Sequence, residues 1–384
     1  MKLKYKNINK YLSEGIIKIC GSISIVLILL IVVFLFSEAL GFFKHNIVEE
    51  GYVIAVSKKN PINNLSSQEI KDIFDENITR WQQLEDKERK TLKTEIRVAY
   101  TIQQALEIKD RSNLIAFLPE EFISEFPDMR KLECDNISLS DFFMGKEWYP
   151  TSQPSAQFGV LPILTGTLMV SLLSILIALP FAIASAIYLS ELSNDKTYRI
   201  LKPAIELLSG IPSVVYGFFG LVVIVPLIQR IFNLDVGETA LSGAVVLAIM
   251  SLPTIITVAE DAMRTTPLSL REASLALGAT KWQTIHKVVI PHSISGITAG
   301  VVLGIGRAIG ETMAVLMVTG NASVLTGNIL EPVRTIPASI AAELGEAPAG
   351  SAHYQALFVL ACILFIITLI INLAVDRITH KSKK

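Results

Sequence analysis

Six long apolar runs dominate this chain, near residues 16 to 43, 160 to 190, 203 to 232, 237 to 262, 292 to 322 and 354 to 376. A run of about 20 apolar residues matches the hydrocarbon core of a bilayer. Lipid offers a bare backbone no hydrogen bonds, so each run must satisfy its own peptide groups as a helix. Six helical spans is the economical count. Composition agrees: 51% of residues are apolar, 18% are charged and mean hydropathy is +0.51, too oily for a water-soluble globule. A formal net charge of -1 gives no basic excess of the kind nucleic acid would need, and moves attention to where the charges lie. Cys20, Cys134 and Cys362 have neither framework nor metal-ligand spacing.

The placement of the charges predicts a topology. Lys196, Arg199 and Lys202 share one short loop, Arg264, Arg271, Lys281 and Lys287 another, and Arg377, Lys381, Lys383 and Lys384 form the tail. By the positive-inside rule these segments and the N-terminus belong in the cytoplasm of a plasma-membrane protein. The first run, preceded by Lys2, Lys4, Lys6 and Lys10, exceeds the about 7 to 15 apolar residues of a cleaved signal and is expected to persist as an anchor. The polar stretch at 44–157 is then extracytoplasmic and long enough for a small domain. Val53–Val56 and Leu114–Leu118 read as buried strands, and Ser66-Ser67-Gln68-Glu69 as the start of a helix over Ile70, Ile73 and Phe74. A small α/β insertion is expected. The Lys/Glu-rich 85–95 stretch reads as a solvated helix face or loop.

Between the fourth and fifth runs, Thr266 is placed to cap a helix with Pro267 at its first position, and Gly278 to end it in the left-handed conformation. Thr280 then opens a second helix with Gln283 three residues on, a capping box. Small residues at Ala273, Ser274 and Ala276 allow another surface close approach, and Glu272 or Arg271 can pair across it. Glu272-Ala273-Ser274, three residues, Gly278, nine residues, then Val288-Val289-Ile290-Pro291 resembles the EAA signature of ABC importer permeases. That resemblance implies coupling helices that dock on a cytoplasmic ATPase, through Glu272, Ala273, Ser274, Gly278 and Pro291. An amphipathic loop lying on the membrane is the plainer alternative. No G-x-x-x-x-G-K-[ST] loop occurs, so the nucleotide site must belong to another chain.

Arg307, Glu311 and Thr312 lie within the fifth apolar run, where ionised groups are costly unless paired or watered. Four residues apart, Arg307 and Glu311 share a helix face and can pair. Arg307 is the preferred cargo or gating group because its planar fork suits a tetrahedral oxyanion; a purely structural ion pair is the competing role. Gly210, Pro212 and Gly217 in the third run suggest either a helix hinge or close helix packing. Gly306-Arg307-Ala308-Ile309-Gly310-Glu311-Thr312-Met313-Ala314-Val315 and Pro203 to Gly217 resemble the PstC-type permeases of phosphate importers, and the likeness extends over about 158–376. Residues 53–84 resemble part of a phosphate-binding protein, although the Ser/Thr/Gly-rich segments that wrap phosphate in such receptors are not visible.

The resemblance implies an all-α polytopic membrane protein with six transmembrane helices of the ABC importer permease type. Its divisions would be a tail and first helix at 1–43, the α/β insertion at 44–157, a transmembrane core at 158–376 with a coupling loop at 264–291, and a basic tail at 377–384. It also implies a non-catalytic chain that moves inorganic phosphate. The implied partners are a second related permease, two copies of an ATPase carrying ATP and Mg, and an extracytoplasmic phosphate-binding protein. No cofactor or metal is expected on the chain itself. The alternatives are a permease for sulfate or molybdate, or a membrane sensor with an outer ligand-binding lobe; the insertion is either a docking lobe or an inert decoration.

Overall fold

The computed structural model describes residues 2–49, 51–60, 62–84, 95–108, 111–134 and 136–381. Of the Lys/Glu-rich stretch only Glu95 falls among them, and the last three residues of the basic tail lie outside. Among the described residues six helical stretches are long and apolar enough to cross a bilayer: Ile17–Lys44, Leu161–Leu192, Ser213–Phe232, Ala240–Arg264, Lys281–Gly310 and Ala352–Ala374. The protein is a helical, multi-pass membrane protein with a small α/β lobe inserted after its first span.

Helix α1 covers Lys2–Gly41. The lobe then follows as β1 Tyr52–Ser57, β2 Asn64–Leu65, α2 Ser67–Phe74, β3 Arg97–Ala99, α3 Ile102–Glu107, β4 Leu114–Pro119, β5 Met129–Lys131, β6 Glu133–Cys134, α4 Leu139–Met144, β7 Trp148–Tyr149 and β8 Gln157–Phe158. Its main sheet has the order β3-β4-β1-β5, with β1 antiparallel to β4 and β5 and β3 parallel to β4. Successive residues of β1 point to opposite faces. Ile54 and Val56 therefore enter one core with Ile70, Ile73 and Phe74 of α2, and Ala55 enters the other with Ala105 and Phe126. Both faces are covered, which is why β1 is apolar without alternation. Helix α2 starts as its sequence predicts: the Glu69 N–H donates to Ser66 Oγ at 3.3 Å, and the Ser66 N–H to Glu69 Oε2 at 2.9 Å.

The lobe is bolted to the spans. Phe42, Phe142, Trp148 and Phe158 are all buried in one edge-to-face aromatic cluster, continuous with Ile163, Ile336 and Leu360 from the membrane part. Glu147 also forms a bridge with Val324.

The membrane part continues as α5 Leu161–Ile187, α6 Asp195–Ser209, α7 Ser213–Phe219, α8 Val225–Phe232, α9 Ala240–Arg264, α10 Leu268–Ala276, α11 Lys281–Thr284, α12 Ile290–Gly310, α13 Met313–Val318, α14 Ile336–Glu343 and α15 Ala352–Lys381. Single π-helical turns at Tyr188–Leu192, Gly220–Ile224 and Ile285–Val289 extend α5, join α7 to α8, and join α11 to α12. The most buried span, α9, packs between α5 and α12, and α1 packs along α15. Gly300 and Gly304 let α12 approach α9, since a Cβ on Gly304 would meet the Ile255 side chain at 2.7 Å.

Two spans differ from their apolar runs. The third begins at Ser213 rather than 203, because Gly210 caps α6 and Pro212 restarts the chain as the N-cap of α7; hydropathy carried across the break because α6 itself ends in Leu207 and Leu208. The fifth starts earlier, at Lys281, and stops at Gly310, where Glu311 turns extended at ψ 130°.

Candidate functional site

At the bundle end opposite the lobe, the chain between α9 and α12 forms a compact helical turn. Helix α10 ends in a turn whose Gly278 has φ +83°, a conformation that costs any residue with a Cβ. Thr280 then caps α11, its Oγ1 accepting from the Gln283 N–H while Gln283 Oε1 accepts from the Thr280 N–H at 2.8 Å. Both features follow the sequence expectation. The start of α10 does not: Pro267 is its N-cap, while the Thr266 hydroxyl is buried against Ser293 Oγ at 3.1 Å. Proline's ψ of 136° already breaks the helix there, which frees the Thr266 side chain to join two spans.

The turn presents a surface. Helix α10 buries none of its residues; Leu277 is 90% exposed and Trp282 61%. Glu272 and Ala273 are exposed beside them, while Ser274 faces inward onto Thr284 Oγ1 at 2.9 Å. Pro291 lies in the first turn of α12, where its missing N–H costs little. Arg271 is already engaged within the chain: its guanidinium pairs with Glu191 at 3.0 Å and donates to the Met263 carbonyl at 2.8 Å. Only Glu272 of that pair is left to meet another surface.

Arg307 occupies the last turn of α12, where the helix dipole favours a cation. Its Nη1 donates to Thr254 Oγ1 of α9 at 3.4 Å, and Tyr216 of α7 lies within its electrostatic reach. The expected Arg307–Glu311 pair is absent among the described residues. The helix ends between the two, and Glu311 swings away so that its Oε1 accepts from the Ala314 N–H at 3.3 Å, at the start of α13. Four-residue spacing brings side chains together only while the helix continues. Among the described residues no carboxylate pairs with Arg307, which sits where α7, α9 and α12 meet. Thr312 lies elsewhere, lining an open recess of about 500 Å³ with Gly310, Pro337 and Leu364. Gly210 and Pro212 bracket the break before α7, whereas Gly217 sits in a regular turn where a Cβ would meet Met317 Sδ at 2.8 Å.

Two charged clusters were not anticipated. Below the turn, the fully buried Glu260 receives Lys202 Nζ at 2.5 Å and pairs with Arg264, which stacks over the Tyr198 ring. Glu260 near the end of an apolar run was a visible signal. At the lobe end, the buried Glu343 accepts from Trp148 Nε1 at 3.0 Å, His353 Nε2 at 2.9 Å and Arg334. Burial raises this carboxyl's pKa, but the His353 and Trp148 hydrogen bonds and the Arg334 charge outweigh it and hold the group below its ordinary range. Nothing in the spacing of residues 148, 334, 343 and 353 announces that they meet.

Six apolar helical stretches with an exposed, glycine-broken helical turn between the fourth and fifth define a multi-pass helical membrane protein. Residues 178–384 match the family of binding-protein-dependent transport system inner membrane components, more than half of the chain, and the chain belongs to that family of permeases. Residues 35–103 match the PBP superfamily domain. The chain is 40% identical over 249 residues to the probable ABC transporter permease protein YqgH of Bacillus subtilis, covering 65% of this chain and 80% of that one. It is 39% identical over 255 residues to the phosphate transport system permease protein PstC of Mesorhizobium japonicum, covering 62% and 76%, and 37% identical over 264 residues to PstC of Xylella fastidiosa, covering 63% and 80%. Inward-facing forms of the MetNI methionine ABC transporter align over 59% of this chain and 95% of that one, at 21% identity and a TM-score of 0.45, too slight a likeness to add to the family match.

Proposed function

We propose that this chain is the permease subunit of an ATP-driven importer of inorganic phosphate in the plasma membrane. The observation that carries the reading is the Gly278 turn, whose exposed Leu277, Trp282 and Glu272 lie between the fourth and fifth spans in a chain of the binding-protein-dependent family. The cargo follows the relatives that are named phosphate transport system permease proteins. Both termini and the turn then face the cytoplasm, as the basic loops favour, and the lobe faces outward.

Two copies of an ATPase subunit supply ATP and Mg, one meeting Glu272, Ala273 and Ser274 beside Gly278. A second related permease completes the pathway, and a phosphate-binding protein delivers the cargo. The lobe, part of which matches a PBP superfamily domain, serves as a docking surface for that receptor. Phosphate passes Arg307, whose charge is not offset by Glu311; Thr312 and the Glu311 turn form the gate where the fifth span ends. Gly210 and Pro212 are the hinge on which α7 moves; Gly217 acts in the same segment by close packing on α13.

The test is ATP-driven phosphate uptake by vesicles carrying the complete complex. Arg307→Ala is expected to abolish uptake while the complex still assembles, and Glu272→Ala to weaken ATPase attachment. Uptake of sulfate or molybdate but not phosphate by the wild type would keep the permease and remove the cargo.

A further inference from the structure

Helix α10 has no buried residue of its own, so apart from its short covalent connections to α9 and α11, a push on it reaches the spans through the side chains that tie it down. Ser274 holds it to Thr284 at 2.9 Å, just before the π turn that leads into α12. Arg271 holds it on the other side: Nη2 lies 3.0 Å from Glu191 Oε1, Nη1 donates to Oε2 at 3.2 Å, and Nη2 also donates to the Met263 carbonyl at 2.8 Å. The Glu191 side chain is 8% exposed and also accepts from Ser190 Oγ at 2.9 Å. It sits inside the π turn that ends the second span.

We infer that the Arg271–Glu191 fork is a positioning pair that carries motion of α10 into the second span, while its bond to the Met263 carbonyl carries it into the fourth. A two-pronged guanidinium–carboxylate contact resists rotation as well as separation, which a single point contact does not. Glu191 lies within one π turn and Thr284 immediately before another, places where the regular hydrogen-bond ladder is interrupted and a helix can shift register or bend at low cost. The inference rests on the importer reading and assigns to Arg271 an internal role instead of a contact with the ATPase.

The experiment measures phosphate imported per ATP hydrolysed by the complete complex in proteoliposomes, for Arg271→Gln, Glu191→Gln, the double variant and Arg271→Lys. If the pair acts as one tie, each glutamine variant lowers that ratio by about fivefold or more, the low end for coupling between linked sites, with ATPase still bound. The double variant is then no worse than either single, since the second change removes a contact already broken. Arg271→Lys keeps the charge without the fork and recovers part of the ratio. An unchanged ratio with uptake and hydrolysis falling in parallel overturns the inference, as do fully additive single effects. If the wild type imports no phosphate the cargo assignment fails instead, and the same ratio is measured with the anion it does import.

Discussion

At the residue scale, three glycines show how differently one residue type is used. Gly278 is needed for its positive φ, with open space around it; Gly217 is needed for its lack of a Cβ, with ordinary backbone angles; Gly306 has nothing within 4 Å of where a Cβ would stand. Gly217→Val should destabilise the detergent-solubilised protein by about 1–3 kcal/mol through overpacking against Met317 and Ala314. Gly306→Ala should leave the melting temperature unchanged or raise it slightly, because alanine favours the helix. A thermal-shift comparison checks both, and equal melting temperatures would show that α7 and α13 are not in close contact. Arg307 makes the complementary point about charge. Its spacing from Glu311 was readable, but pairing depended on a helix that ends one residue too soon.

At the element scale, the Glu343 cluster joins the lobe to the connection between the fifth and sixth spans and to α15. Its depressed carboxyl pKa fixes the sign of a pH effect. The stabilisation is fully present above the ordinary carboxylate range and is lost as pH falls through the lowered folded value. Acidification below that range should therefore loosen this end. Glu343→Gln should flatten the acid limb of a melting-temperature profile, while Glu343→Ala, which leaves the half-buried Arg334 without its carboxylate, should cost about 3 kcal/mol at neutral pH, the low end for breaking a buried pair. An acid limb identical in wild type and Glu343→Gln would show that another group controls it. The cluster escaped sequence reading because its members come from four separate segments, and periodicity reports only on neighbours along one element.

At the scale of the whole molecule, the lobe divides into a sheet domain and a base. The base carries Phe142, Trp148 and Phe158, and these complete the aromatic cluster with Phe42. A deletion of residues 50–145 removes Phe142 and would confuse loss of docking with loss of packing, since a buried Phe truncation alone costs about 3–5 kcal/mol. Removing residues 50–134 keeps the base. The shorter deletion is expected to insert and melt near the wild type while losing receptor docking, and the longer to lose stability as well. Unchanged receptor docking in the shorter deletion would make the lobe an inert decoration.

What the chain determined without its tertiary structure is the part governed by local rules. Lipid forces each apolar run into a helix, a capping box starts α2 and α11 wherever it is written, and Gly278 ends α10 because only glycine takes that backbone at no cost. The order of spans, the α/β character of the lobe and the turn between the fourth and fifth spans were all legible on those terms. Tertiary structure decided which charges meet. Arg271 turned inward to Glu191, Arg307 was separated from Glu311, Lys202 found Glu260, and Trp148, Arg334 and His353 converged on Glu343. Each of these depends on distance in space between segments far apart in the chain or on the residue at which a helix stops. Hydropathy and residue spacing carry neither quantity.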